Sequence, residues 1–217
     1  MSDELTAIVI VAAIAAAVVT LVVLVGRRRN RAIRDMLLPI VTAAGWADVR
    51  PASFGWIGLR GVWRSYPVEL AYAARQKSVP QRFILRVKAP SSSRLSVKRR
   101  MYGFLTRPFT MFGPPLVEMR HPGAQELWVR ADDMALAERV FFDDKTARLI
   151  AGNLVAAYDE VLVNSKGVRI TRSLDDRPVR KKYDFAMVTM SFDPQRFAPI
   201  IHEEIALAEA LVDKISR

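Results

Sequence analysis

The chain has 217 residues, no cysteine and a formal net charge of +11. The lack of cysteine excludes disulfides, thiol chemistry and cysteine-based metal sites. Residues 1–117 carry 18 lysines and arginines against 5 acids, whereas residues 118–217 carry 15 against 17. A positive half of this kind favours anionic lipid or an acidic protein as a partner.

The first predicted element is a membrane-spanning helix at residues 5–26, in which no side chain is charged. At ~1.5 Å per residue, about 20 such residues cross a hydrocarbon core of about 30 Å. A cleaved signal peptide is the alternative. A signal peptide needs a basic leader and a shorter apolar run, but the residues before this span include Asp3 and Glu4. We therefore assign residues 1–26 to a transmembrane anchor.

Basic residues follow the span at once and set its predicted orientation: Arg27, Arg28, Arg29, Arg31 and Arg34. Lysine and arginine beside a span stay preferentially in the cytoplasm. We expect a single-pass protein of the inner or cell membrane, with its N-terminus extracytoplasmic and its domain cytoplasmic. The anchor would hold the protein away from most nucleic acid, so no nucleic-acid partner is expected.

Small residues four positions apart lie within the span, as the pairs Ala12 with Ala16 and Ala13 with Ala17. Such spacing lets a second helix approach closely, which predicts a helix-packing face. The alternative is that alanine is simply common in such helices.

Residues 27–45 are predicted to continue the helix beyond the membrane. Ile33, Leu37, Ile40 and Val41 recur at helical spacing, and Gly45 suits a helix C-cap. The short connection would keep the remaining chain, residues 46–217, close to the bilayer as one cytoplasmic domain.

Alternating hydrophobicity predicts antiparallel strands at residues 54–63, 66–74, 82–88 and 94–99, with one apolar face and one basic face. Further strands are predicted at 126–130, 160–164 and 167–172, and residues 183–192 are predicted as a central or buried strand. Asp132 or Asp133 would cap a helix ending at 141, and Asp143 or Asp144 one ending at 157.

The last predicted element is a helix that begins near Asp193 and Pro194. One apolar stripe runs along it (Phe197, Ile201, Ile205, Ala208, Val212 and Ile215), and Glu203, Glu204, Glu209 and Asp213 are assigned to its polar face. The fold class is therefore α+β, with an antiparallel sheet covered by helices on one face.

A basic and aromatic loop at residues 98–115 is the main predicted docking site for a partner or the membrane. Between residues 70 and 117 there are ten basic residues and no acid, so we expect no internal neutralisation of its cations. Cations meet phosphate or acidic groups, and aromatic rings enter an interface. The docking residues are Lys98, Arg99, Arg100, Tyr102, Phe104, Phe109 and Phe112. Alternatively, the phenylalanines fold back as a small additional core.

The basic face of the predicted hairpins is a second candidate docking surface. It carries Arg82, Arg86, Lys88, Arg94 and Lys98. The alternative is an ordinary solvated sheet face, and the sequence does not decide between the two.

Catalytic and metal-binding patterns do not emerge from the sequence, and we expect no catalytic residues, metal or cofactor. His121 and His202 are the two histidines, and His202 suits a solvated surface position. Gly55, Gly58 and Gly61 lack the spacing of a phosphate-binding loop and favour a bent strand or close packing.

The sequence thus predicts a non-enzymatic accessory or structural subunit that docks its domain on a larger membrane protein complex, for example a bioenergetic one. The alternative is a membrane-anchored module that binds anionic lipid headgroups or another anionic ligand. An enzyme is the third interpretation, and it would require carboxylates brought together from distant parts of the chain.

Overall fold

A computed structural model describes residues 2–52, 57–73, 81–100, 114–119, 124–156, 159–174 and 194–216. Its helices are α1 (Ser2–Ala43), α2 (Met134–Phe141), α3 (Asp144–Asn153) and α4 (Pro194–Ile215). Its strands are β1 (Ala47–Pro51), β2 (Ile57–Trp63), β3 (Tyr66–Ala73), β4 (Arg82–Val87), β5 (Leu95–Arg99), β6 (Leu116–Val117), β7 (Leu127–Ala131), β8 (Glu160–Asn164) and β9 (Gly167–Ser173).

The described strands form one sheet in the spatial order β1-β2-β3-β4-β9-β8-β5-β7-β6. Adjacent strands are antiparallel throughout. Successive side chains of a strand point to opposite faces. In β4, Phe83, Leu85 and Val87 are buried on one face, as the sequence predicted, and Arg82 and Arg86 lie half-buried on the other.

The helices cover the face of the sheet to which Phe83 points. Phe83 meets Phe197 of α4 edge to face, with ring centroids 6.1 Å apart. Helix α4 contacts β4 and β9, α1 contacts β2 and α4, and both α2 and α3 pack against α4. The predicted α+β architecture, an antiparallel sheet covered by helices on one face, is confirmed for this part of the chain.

Helix α1 joins the apolar span to the core of the domain without a break. It is 42 residues long. By length and composition the helix could cross a membrane, since its most apolar 18-residue window has a mean hydropathy of 2.5. The described side chains from Ile8 to Val25 are exposed. By contrast, Ile33, Leu37 and Val41 are at most 3% exposed. The last turns of α1 are therefore part of the hydrophobic core.

The end of α1 is capped as the sequence predicted. Gly45 adopts φ +80°, and its N–H donates to the carbonyl of Thr42 at 2.9 Å. The N–H of Trp46 donates to the carbonyl of Val41 at 3.1 Å. This pair of hydrogen bonds is a Schellman motif, in which glycine is favoured because it adopts positive φ without strain. Trp46 then packs in the core.

Two glycines allow β2 to lie very close to its neighbours. A Cβ at Gly58 would lie 2.0 Å from the carbonyl oxygen of Leu70, and one at Gly61 would lie 2.8 Å from that of Ala47. Gly58 and Gly61 thus allow close approach of backbone groups; the predicted packing of Trp56 lies outside the described residues. Gly55 lies outside the described residues.

The two ends of the sheet differ in their connections. At the turn end, the chain reverses within two residues between Trp63 and Tyr66 and between Asn164 and Gly167. We call the opposite end the loop end. The strand residues that lead into or out of the longer connections face this way. These are Pro51, Ala73, Arg82, Arg99 and Ser173.

The structure differs from the prediction at several elements. Strands β1 and β6 were not predicted, because β1 begins only four residues after α1 and β6 has just two residues. Helix α3 ends at Asn153 instead of 157, since the carboxylate of Asp159 accepts hydrogen bonds from the N–H groups of Val155 and Ala156. The predicted strand at 183–192 and the Asp193 cap lie outside the described residues.

Candidate functional site

Exposed arginines lie on α1 directly after its apolar span. Arg27, Arg28 and Arg31 are exposed, and Arg34 is half-buried. The side chain of Arg29 lies outside the described part. Arg27 and Arg31 are about one turn apart along the axis, and Arg28 is turned about 100° from Arg27. We call these three exposed arginines the basic collar. The membrane-flanking role of these residues stays a prediction.

The predicted helix-packing alanines lie on the exposed part of α1. Ala12, Ala13, Ala16 and Ala17 are all exposed. The hydroxyl of Thr20 donates to the carbonyl oxygen of Ala16 at 2.8 Å, so this polar side chain is satisfied within the helix. Packing of a second helix against these alanines stays a prediction.

The cations at the start of the predicted docking loop have acidic partners. Lys98 Nζ lies 3.1 Å from Glu160 Oε1. Arg99 pairs with Glu126 at 3.4 Å, and its Nη1 donates to the carbonyl oxygen of Val155 at 2.8 Å. The expectation that these cations have no internal neutralisation was wrong. Strand β5 lies between β7 and β8, which brings it beside Glu126, just before β7, and Glu160 in β8, two acids that are distant in sequence.

The rest of the predicted docking loop is outside the described residues. Tyr102, Phe104, Phe109 and Phe112 belong to residues 101–113, which the structure does not describe. Arg100, the residue before them, is exposed. A docking role for this loop therefore stays a prediction.

The face of the sheet opposite the helices is less positive than its own strand sequences indicate. Arg86 pairs with Glu69 at 3.1 Å directly across the β3–β4 register. Arg169 pairs with Glu160, which also binds Lys98. These pairs reduce the positive charge at the centre of this face. Ala71, Ile84 and Thr171 are buried there, so the centre of the sheet is not an ordinary solvated face. Lys88 and Arg94 are exposed at the turn end.

A buried polar cluster lies where β9, α3 and α4 meet, near the loop end. Arg172 Nη1 donates to Glu203 Oε2 at 2.6 Å and to Asn153 Oδ1 at 3.1 Å. The Arg172 side chain is 12% exposed. One guanidinium thus links a strand to two helices. The sequence did not identify this cluster, because its members are separated by up to 51 positions.

Asp159, the residue before β8, is also part of the cluster. Its carboxylate accepts hydrogen bonds from the backbone N–H groups of Val155 at 2.8 Å, Ala156 at 2.6 Å and Ser173 at 2.6 Å. Burial raises the pKa of Asp159, although these hydrogen bonds oppose the shift by favouring the ionised form.

Glu204 is the most unusual group of the cluster. It is fully buried, and neither carboxyl oxygen has a hydrogen-bond partner among the described residues. Burial raises the pKa of Glu204 well above its usual value, the charge of Arg172 opposes this shift, and the charge of Asp159 adds to it.

The assignment of Glu204 to the polar face of α4 was therefore wrong. A signal was present in the sequence, because Glu204 follows Ile201 by three residues and precedes Ala208 by four. These are the spacings of the apolar stripe itself. The stripe is otherwise as predicted: Phe197, Ile201, Ile205, Ala208 and Val212 are buried, and Ile215 packs against the core.

Two further aspartates have structural roles as helix caps. Asp133 accepts from the N–H of Ala135 at the start of α2, and Asp143 accepts from that of Lys145 at the start of α3. Both caps are as predicted. The hydrogen bond from Ser93 lowers the pKa of Asp133, and that from Thr146 lowers the pKa of Asp143.

An open groove of about 560 Å³ runs between α3 and α4 beside the cluster. It is lined by Asp143, Asp144, Lys145, Arg148, Leu149, Gly152, Asn153 and Glu203. Within the described ranges, no group of three or more histidine, aspartate or glutamate side chains could hold a metal ion. His202 is exposed. The groove is open, and its described lining residues form no such metal-binding group.

Comparison with known proteins gives one structural likeness. No family model matches the sequence, and no curated protein matches it. The chain is similar to the crystal structure of the mycobacterial trehalose monomycolate transport factor A, TtfA, with 9% sequence identity and a TM-score of 0.37. The match covers 79% of this chain and 92% of that chain. A likeness of this degree supports no conclusion about the activity of this protein.

Proposed function

We propose that this protein is a non-enzymatic, single-pass membrane protein that docks its domain on a larger membrane protein complex as an accessory or structural subunit. The observation that carries the proposal is the continuity of α1. Its described side chains from Ile8 to Val25 are exposed and apolar in character, yet the same helix ends in the core at Ile33–Val41. Such a helix couples the position of the domain to that of the membrane segment.

In this proposal the protein lies in the inner or cell membrane with its domain in the cytoplasm. The basic collar of Arg27, Arg28 and Arg31 supports that orientation, since arginine beside a span stays preferentially on the cytoplasmic side. The complex would contribute membrane helices that pack on the exposed alanines, where small side chains allow close approach.

The loop at 98–115 is the proposed contact outside the membrane. Arg100 is exposed at its start, and the aromatic residues that follow in sequence are the kind of side chain that often dominates an interface. Cations supply long-range attraction and specificity in such contacts.

Gentle solubilisation followed by purification and mass determination tests the proposal. A stoichiometric protein partner is the expected result. The variant Phe109→Ala with Phe112→Ala should lose the partner while its melting temperature stays unchanged. Phe142→Ala is a matched control, because Phe142 is 92% exposed between α2 and α3; this variant should keep the partner.

Two outcomes would count against this docking loop. A double variant that melts earlier and keeps its partner while folded would show that the phenylalanines belong to a core. A wild-type protein that purifies as a monomer and binds anionic vesicles would favour the second candidate function, a membrane-anchored module for anionic lipid or another anionic ligand. The exposed arginines of the collar are the observation that favours this second candidate.

A further inference from the structure

The face of the sheet opposite the helices carries a surplus of positive charge in the described strands. Residues that pair directly across adjacent strands lie on the same face, so the register assigns every charged strand residue to one face or the other. Asp48 is the exception, because it lies in the irregular stretch of β1. On the face opposite the helices the cations are Arg50, Arg60, Arg82, Arg86, Lys98, Arg130 and Arg169, and the acids are Glu69 and Glu160.

Four of these arginines form a row across the sheet, together with one glutamate. Arg50 lies opposite Arg60, and Arg60 lies opposite Glu69. Glu69 lies opposite Arg86, which in turn lies opposite Arg169. Since adjacent strands are about 4.8 Å apart, the row extends about 19 Å over five strands. Like charges directly opposite each other repel, so this arrangement is not one that stabilises the sheet by itself.

The two acids of this face are engaged near its centre. Glu69 pairs with Arg86 at 3.1 Å. Glu160 pairs with Arg169 and lies 3.1 Å from Lys98. The other end of the row, on β1 and β2, holds two arginines directly opposite each other, and both are exposed. The row is therefore most accessible, and most in need of an anion, at the β1–β2 edge of the sheet.

The packing of α1 determines the direction in which this face points. Helix α1 contacts β2 on the covered face and buries Ile33, Leu37 and Val41 along that stretch. A helix that packs flat on a sheet has its axis roughly parallel to the plane of the sheet. The arginine row thus points roughly at right angles to the axis of α1. Where α1 crosses a membrane, the row faces sideways, toward a neighbouring protein and not toward the bilayer surface.

We propose that the arginine row binds an acidic segment of a neighbouring protein, with Arg50 and Arg60 as the main contacts. The planar guanidinium group forms two parallel hydrogen bonds to a carboxylate, which gives such a contact both energy and geometry. The proposal rests on the membrane-anchored subunit of the proposed function. It deepens that function by naming a second docking surface and the chemistry of the partner that it fits.

Amine coupling tests the proposal, because lysine keeps the positive charge of arginine and adds a reactive amine. The full-length variant Arg50→Lys with Arg60→Lys would be purified in nonionic detergent and mixed at low salt with a hexaglutamate peptide. The peptide carboxylates would be activated beforehand with carbodiimide and the excess reagent removed, so that no acid of the protein is activated. Lys145 on α3 and Lys166 in the β8–β9 turn are exposed and serve as internal controls.

Mass spectrometry of the coupled protein should give several-fold more product at positions 50 and 60 than at Lys145 and Lys166. Added salt should reduce the difference, since it screens exposed charges. Equal coupling at the four positions would show only a general attraction of acidic peptide to a protein of net charge +11. That result would overturn the proposal.

A charge-matched pair of variants provides a second measurement. Arg50→Gln with Arg60→Gln should weaken the binding of a fluorescent hexaglutamate peptide several-fold. Lys145→Gln with Arg148→Gln removes the same charge from α3, on the covered side of the sheet, where both residues are exposed. This control should leave the affinity nearly unchanged. Equal losses for the two pairs would overturn the proposal, and equal melting temperatures would show that each variant is folded.

Reconstitution separates an acidic protein segment from anionic lipid. The same coupling would be repeated in vesicles of phosphatidylcholine and of phosphatidylcholine with phosphatidylglycerol. If phosphatidylglycerol abolished coupling at positions 50 and 60 but not at Lys145, lipid would occupy the row and the proposal would be overturned. Extraction with alkaline carbonate tests the membrane crossing separately. A protein washed off the vesicles contradicts the proposed function, whereas an integral protein with equal coupling contradicts only the role of the arginine row.

Discussion

The guanidinium of Arg172 lies 2.6 Å from the carboxylate of Glu203, across the boundary between β9 and α4. Glu204 is the next residue of α4, turned about 100° around the helix axis, and its carboxyl group is fully buried without a hydrogen-bond partner among the described residues. One turn of α4 thus contains Glu203, whose carboxylate has a hydrogen-bond partner, and Glu204, whose buried carboxyl group has none among the described residues. A buried group of this kind is more stable when protonated.

Glu204 should make the domain less stable as the pH rises. The pKa of Glu204 is raised from its ordinary value of 4.5, so the unfolded chain releases this proton at a lower pH than the folded chain does. Below the ordinary value both states are protonated. Above it, the free energy of unfolding falls until the folded group also ionises. Burial of Asp159 acts in the same direction.

The variant Glu204→Gln should therefore melt at a higher temperature than the wild type at neutral pH and show a flatter dependence on pH. Melting temperatures between mildly acidic and alkaline pH measure this, at about 2–4 °C for each kcal/mol in a domain of this size. Glu203→Gln is the control, which should lose the Arg172 pair without flattening the curve. Parallel curves for wild type and Glu204→Gln would contradict the assignment.

Asp143→Ala should destabilise the domain by about 1 kcal/mol, the usual cost of removing an N-cap. Asp143 caps α3 through the N–H of Lys145 at 3.1 Å and the hydroxyl of Thr146 at 2.9 Å, and it pairs with Lys214 at 3.2 Å. Because the folded state lowers its pKa, this contribution is present above the ordinary value and is lost as the pH falls through the folded value. Urea unfolding at neutral and acidic pH measures both effects. Lys145→Ala, in the same turn, should cost less and show no such loss; a cost for Lys145→Ala as large as for Asp143→Ala would refute the cap.

Gly58→Ala should destabilise the sheet by at least about 3 kcal/mol, the upper part of the range for overpacking. Its Cβ would lie 2.0 Å from the carbonyl oxygen of Leu70, and both groups belong to paired strands that cannot separate easily. Gly152→Ala is the matched control. No heavy atom lies within 4 Å of a Cβ at that helical position, so alanine should stabilise α3 by about 0.5–1 kcal/mol. Chemical unfolding of the two variants would show opposite signs, and equal effects would mean that β2 is not as close to β3 as described.

Ile205→Asp should cost more than about 3 kcal/mol, because it places a charge in the seam between α4 and the sheet. Ile205 is 6% exposed and faces Trp46, Trp63 and Val68 across a small gap. His202→Asp, at an exposed position of the same helix, should change the melting temperature little. A stable Ile205→Asp protein would indicate that the stripe faces a partner instead of the core.

Protease added to intact cells should leave residues 46–217 uncut, because the arginines after the span outweigh the two acids before it in setting orientation. Permeabilised cells provide the control, in which the same protease should degrade the domain. Cleavage of the domain from outside would reverse the predicted topology.

Local sequence patterns predicted most of the described secondary structure. Alternation predicted β3, β4 and β9 within two residues. Gly45 was predicted as a cap, and Asp133 and Asp143 were each one of two candidates, because capping depends on a few neighbouring backbone groups. A continuous apolar run likewise predicts a helix of membrane-spanning length. These features depend on residues near each other in sequence.

Only the tertiary structure decided which charges of the described residues are neutralised. Lys98 meets Glu160 because β5 and β8 are adjacent, although 62 positions separate the two residues. Glu204 has the helical spacing of the apolar stripe, but the charges that act on it, Arg172 and Asp159, belong to other elements of the fold. Strand order and helix direction are set by long-range packing of the core, and this is why the sequence by itself determined the elements but not their electrostatic partners.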